Sequence, residues 1–142
     1  MIIVAFNPFK HLEYARAVTD VAISDKTRGL VALDKKTGEP QGLVLLDNWL
    51  GNSVMSHVAL QNPMAARYLE PEVMKYVFDT CGKAMMLGTV TSDNEKALKF
   101  DKHLGYKELF RVPSAHAEGV DLVVLQMLRE DCRYFKKLSE VA

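Results

Sequence analysis

The chain has little of what would place it outside the ordinary globular class. Of its 142 residues only two are cysteine, five are proline and one is tryptophan. Two cysteines cannot staple a small scaffold, and Cys81 and Cys132 lack metal-ligand spacing. Each lies in a segment read below as helical, with an apolar residue close by, and reduced structural cysteines are expected. Net charge is missing too, since 18 Lys and Arg balance 18 Asp and Glu. That balance argues against nucleic acid or an anionic membrane as a partner held by bulk electrostatics. No segment approaches the ~18 consecutive apolar residues of a membrane span. The opening run Met1 to Phe6 has no basic stretch before it and no signal-peptide layout, so a cytoplasmic location is expected.

Decisive chemical motifs are absent as well. There is no Walker loop, no GxGxxG, no GxSxG and no HExxH. His11, His57, His103 and His116 stand far apart, with no Cys or carboxylate at ligand spacing, so no metal is expected.

What remains is one domain's worth of alternating strands and helices, with 49% hydrophobic and 25% charged residues. Residues 2–6 read as a strand. Asn7 and Pro8 read as a helix start, and apolar positions at helical spacing carry that helix to about Ile23. Residues 28–34, 41–47 and 53–60 form an antiparallel meander with a turn at 35–40 and a loop from Asp47 to Asn52. Residues 61–70 read as a connection, with Pro71 as the first residue of a helix that Gly82 ends. A strand at 85–91 follows, then a helix capped by Asp93 or Asn94 with Ala97, Phe100 and Leu104 inward. Strands at 106–112 and 120–128, joined by a polar loop, and a helix from Arg129 to Glu140 complete the chain. This order predicts an α/β domain over residues 1–142: a mixed, largely antiparallel sheet with helices on its faces. The strand-helix-strand unit from 53 to 91 predicts a right-handed parallel crossover.

The informative stretch is Val90 to Tyr106. A strand ends in a polar turn, Asn94 caps a helix, and Ala97, Phe100, Leu104, Gly105 and Tyr106 follow at fixed offsets, Tyr106 re-entering the sheet as an apolar anchor. This pattern, N-x-x-A-x-x-F-x-x-x-L-G-[FY], resembles the signature of the GNAT N-acetyltransferases, and the element order is similar to theirs over essentially the whole chain. Tyr76-Val77-Phe78 with Gly82, and Leu128 to Arg133, resemble a small subgroup of that family encoded in phage and prophage genomes.

The resemblance implies two parallel central strands, 53–60 and 85–91, that splay apart. It implies acetyl-CoA as cosubstrate, its pantetheine lying along the first strand at Val58, Ala59 and Leu60. A backbone N–H of that strand would polarise the acetyl carbonyl. It implies a primary amine as acceptor, and a homodimer is among its expectations. Asn94 is carried over as the motif asparagine on the cofactor side. The pyrophosphate would sit on the N-terminus of the following helix. There the family carries [RQ]-x-x-G-x-[GA], whereas Pro63 to Pro71 holds no glycine; Arg67 is the residue left to meet phosphate. Glu70 and Glu72 near that terminus would oppose an anion. Many family members place a tyrosine acid seven residues after the motif Asn, where this chain has Asp101, a poor donor unless burial raises its pKa. Ser92 is expected either to hydrogen-bond the thiol or to compete as a helix cap. His57, on the opposite face of its strand from Val58 and Leu60, is the expected general base. His116, Glu118 and the loop around Trp49 are expected to border the acceptor. The missing glycines and Asp101 also motivate an alternative, a catalytically inactive binding or virion-associated protein of the same fold.

Overall fold

A computed structural model describes residues 1–141 of the chain. Its strands are β1 (Ile2–Ala5), β2 (Arg28–Leu33), β3 (Pro40–Asp47), β4 (Ser53–Leu60), β5 (Met85–Thr91), β6 (Lys107–Ala117) and β7 (Val120–Leu128). Its helices are α1 (Leu12–Val18), α2 (Ala65–Met74), α3 (Glu95–Leu104) and α4 (Arg133–Val141). The strands make one sheet in the order β1-β2-β3-β4-β5-β7-β6, antiparallel everywhere except between β4 and β5. Among the described residues no helix is long and apolar enough to cross a membrane.

Strand alternation sorts the apolar residues onto two faces. Val44, Leu46, Val54, Met86, Leu125 and Met127 point to one face, where Leu69, Val73, Val77 and Phe78 of the segment after β4 cover them. Leu43, Leu45 and Val31 point to the other, under Phe6 and Ala15. β3 is covered on both sides, which is why Gly42 to Leu46 is buried without alternation. Gly42 also sets how closely α2 approaches, because a Cβ there would lie 2.8 Å from the Ala65 Cβ. The second face has only α1 over it, and its apolar cluster stops at β3. In register beyond it, Thr89 of β5, Val124 of β7 and Phe110 of β6 share that same face.

Besides the last helix, which begins at Arg133 behind a 3-10 turn at Arg129–Asp131 and not at Arg129, three elements differ from the sequence expectation. The first helix spans only Leu12–Val18. Asn7 Oδ1 accepts from the Phe9 and Lys10 N–H groups and closes a separate turn. At the far end the Thr19 hydroxyl accepts from Val21 N–H and competes with the helix. β6 runs on to Ala117 through the segment expected as a loop, with a break in register between Val112 and Ala117 and Ser114 at φ 51.

The third difference matters for function. α2 does not start at Pro71 but more than a turn earlier, at Ala65, behind a tight turn that Asn62 and Pro63 open. Asn62 Oδ1 accepts from Met64 N–H, and the Asn62 carbonyl accepts from Ala65 N–H. Both prolines suit a helix start, but only before Pro63 does a side chain, Asn62, close a turn that leads the backbone into the helix. Pro71 sits inside the helix, where it can donate nothing to the Arg67 carbonyl. The helix continues past it and widens into a π-helical turn at Lys75–Thr80 before Gly82, at φ 65, ends it.

Candidate functional site

The parallel strands β4 and β5 pair only at Ser53–Met85, Val54–Met86 and Met55–Leu87. On their outer sides pairing persists, β4 with β3 to Leu60 and β5 with β7 to Thr91. From Ser56 onward, the edge of β4 that faces β5 therefore has no strand partner. Alternate N–H and C=O groups of Ser56 to Leu60 are left to something other than the sheet. Val58, Ala59 and Leu60 all lie in this stretch. The gap is a cleft of about 700 Å³, bounded by β4, by Gly88 to Thr91 of β5, by α3, and by Val18 to Val21 after α1. That size suits a cosubstrate or small ligand. An apolar arm of the cleft runs beneath α2, walled by Val58, Leu60, Leu69 and Phe100. Val58 is 43% exposed because β5 has turned away from it.

The titratable groups expected here are placed as follows. His57 lines the cleft on the α1 face, with its Nε2 2.7 Å from Asp47 Oδ1 at the end of β3. Asp101 lines the cleft from α3, and no hydrogen bond or ion pair satisfies its carboxyl among the described residues. Burial without a partner pushes that carboxyl up to about 6. A group in this range holds a proton at mildly acidic pH and still exchanges it near neutrality. Asn94 also lines the cleft, and its Oδ1 caps α3 by accepting from Ala97 N–H at 3.1 Å. Ser92 is turned to β7 instead: its Oγ accepts from Asp121 N–H at 2.8 Å and its own N–H donates to the Asp121 carbonyl. It does the work of a strand-end clamp there.

Trp49 does not line the cleft. Its Nε1 donates to the Lys26 carbonyl, and its ring packs edge-on against Tyr76, on the covered face. His116 and Glu118 lie exposed near the tip of the β6–β7 hairpin.

Two features of the site were not visible from sequence. Asp47, expected only as the residue where the strand passes into a loop, ends β3 and holds His57. Tyr106, expected only as an anchor, is buried with its hydroxyl 2.6 Å from Ser56 Oγ in the splayed part of β4. Burial pushes the Tyr106 hydroxyl well above the ordinary phenol range, so it stays protonated. The only sequence signal for either was the alternation of β4, which sends Ser56 and His57 to opposite faces.

At the start of α2 the amides that would meet phosphate already have acceptors. Met64 N–H donates to the Asn62 side chain, and the N–H groups of Ala65, Ala66 and Arg67 donate to the carbonyls of Asn62, Pro63 and Met64. The helix dipole remains, but the open amides of a glycine loop do not. Arg67 is exposed, and no ion pair or hydrogen bond engages its guanidinium among the described residues. The carboxylates expected to oppose an anion are neutralised: Glu70 by Arg133, and Glu72 by Lys75 at 3.0 Å.

No family model matches the chain, and no curated protein matches its sequence. Solved structures do match its shape. The spermidine/spermine N-acetyltransferase SpeG from Vibrio cholerae, solved in complex with manganese ions, aligns with a TM-score of 0.76 at 16% identity. That alignment covers 96% of this chain and 95% of SpeG. The yncA protein of Salmonella typhimurium, solved with acetyl-CoA, aligns with a TM-score of 0.70 at 16% identity over 91% of this chain and 94% of its own. At such identities the likeness speaks for architecture, and the architecture of this chain is the GNAT acetyltransferase fold.

Proposed function

We propose that the chain is an acetyl-CoA-dependent N-acetyltransferase that moves an acetyl group to a primary amine by direct attack. The observation that carries this reading is the splay of β4 from β5, which leaves strand backbone unpaired beside a titratable imidazole and a protonatable carboxyl. Pantetheine would pair with the free edge of Val58 to Leu60 as an added strand. An N–H of that edge would then face the acetyl oxygen where charge develops. Arg67 would meet the pyrophosphate through charge-assisted contacts, in place of the engaged amides.

In this reading His57 accepts a proton from the acceptor's ammonium and the freed amine attacks the acetyl carbon. The carbon–sulfur bond breaks, Asp101 in its protonated form delivers a proton to the leaving sulfur, and the acylated nitrogen sheds its second proton to water, from which Asp101 is reprotonated. Most of the rate would come from orientation and from the strand amide. The acceptor approaches from the α1 face, because His57 points there and no helix apolar cluster covers the sheet beyond β3. That SpeG is a spermidine/spermine acetyltransferase and that yncA was solved with acetyl-CoA support the amine acceptor and the donor.

The test is thiol release from acetyl-CoA in the presence of a diamine, an amino sugar and a lysine peptide. Release that depends on an added amine is the expected result. Release that no amine stimulates contradicts the reading. One observation favours the second reading, a protein that keeps the fold without catalysis: every first-turn amide of α2 is satisfied internally. It requires that no amine be acetylated even when acetyl-CoA is shown to bind.

A further inference from the structure

Asp47 has no part in the motif on which the sequence reading rests, yet it makes the only polar contact of His57 among the described residues. The β3–β4 register places Leu45 opposite His57 and Asp47 opposite Met55, so Asp47 and His57 are diagonal neighbours on the same face. Both side chains are mostly covered, with exposures of 23% for His57 and 20% for Asp47. A carboxylate oxygen only accepts, so the 2.7 Å contact places the ring hydrogen on Nε2. The carboxylate is itself held. Asn48, in a left-handed conformation at φ 50, turns its Nδ2 back to donate to the same Asp47 Oδ1 at 3.1 Å. The imidazole, and not Asp47, lines the cleft.

We propose that Asp47 is the positioning residue of His57, fixing the imidazole as the Nε2–H tautomer so that the Nδ1 lone pair is offered to the acceptor amine. The final proton step rests on the acetyltransferase reading; the fixed tautomer does not. In that step the ammonium N–H bond breaks and its electron pair stays on the amine nitrogen. The proton goes to Nδ1, and the resulting imidazolium is balanced by the Asp47 carboxylate through Nε2–H. After transfer Nδ1 returns the proton to water. Without Asp47 a neutral imidazole divides between two tautomers and two ring orientations, and only part of the population offers a lone pair to the cleft.

The experiment is nitrogen NMR of the histidine rings in the full, labelled chain, with His57→Gln used to assign the signals and Asp47→Ala as the test. The expected result is Nε2 protonated and Nδ1 bare in the native protein, changing to a mixture in Asp47→Ala. A native Nδ1–H form, or the same tautomer in Asp47→Ala, overturns the proposal. Steady-state kinetics give a second readout that loss of structure would not mimic. Asp47→Ala is expected to lower kcat about 10²-fold while the KM for acetyl-CoA stays within about twofold. A rise in that KM with kcat unchanged overturns the role. If the native protein acetylates no amine but the tautomer depends on Asp47, the positioning stands and the transferase reading fails.

Discussion

Met55 and Leu87 are the last partners of the two parallel strands, and the site begins one residue beyond them. β4 is held by β3 on one side and β5 by β7 on the other, both for several residues past that point. The outer pairings carry the two strands apart. The cleft is thus a product of sheet topology, and side chains only furnish it.

Among the described residues, Arg67 is a cation at the start of α2 that no ion pair or hydrogen bond engages. Removing it in Arg67→Ala is expected to weaken acetyl-CoA binding by about tenfold, the worth of one charge-assisted contact. Titration calorimetry at two salt concentrations checks this, since the native affinity should fall with salt more steeply than that of the variant.

The raised pKa of Asp101 makes a stability prediction with a definite sign. Its folded value of about 6 lies above the ordinary 3.8. Below about pH 4 the carboxyl is protonated in both states and folding is favoured; between about 4 and 6 the unfolded chain ionises first and that advantage is lost. The loss is bounded at about 3 kcal/mol. Asp101→Asn is expected to match the native melting temperature near pH 4 and exceed it at pH 7.5. An equal difference at both values would refute the assignment of a desolvated carboxyl.

Gly105 ends α3 at φ 126, and a Cβ there would meet the Asp131 carbonyl oxygen at 2.1 Å. Both the backbone conformation and the contact exclude a side chain. Gly105→Ala is expected to cost about 3 kcal/mol in urea unfolding. A cost below about 1 kcal/mol would show that the turn before β6 is looser than described.

Asn62 closes the turn that leads into α2 and occupies the Met64 amide. Asn62→Ala is expected to lower stability by about 1 kcal/mol. Acetyl-CoA binding should be retained, because the same change frees an amide at the phosphate end.

The sheet was legible because it depends on element order; the splay came only with the family resemblance, which Asn94, Gly105 and the aromatic Tyr106 carry at recognisable offsets around α3. The start of α2 was not. Pro63 and Pro71 are equally good first-turn residues, and the choice between them was made by the Asn62 side chain and by burial of Leu69 against the sheet. The Asp47–His57 pair was hidden for another reason. The strand was expected to reach Asp47, but which residues of β4 lie beside it is set by the register across the Asn48 to Asn52 loop and not by spacing. Tyr106 was read correctly as an anchor, but its hydroxyl contact needs the third dimension. Asp101 stood out as a departure from the family pattern, and only its desolvation shows how it could serve.

The most direct measurement is a thermal melt with and without acetyl-CoA, on the native protein and on Val58→Trp. Val58 projects into the cleft and is 43% exposed, so the larger ring fills the space for pantetheine without overpacking the core. At a hundred times its Kd the ligand should add about 2.7 kcal/mol, an upward shift of several degrees. The expected result is that shift in the native protein and none in Val58→Trp, with equal melting in the absence of ligand. No shift in the native protein at millimolar acetyl-CoA, or an undiminished shift in Val58→Trp, would contradict a cosubstrate seated between β4 and β5.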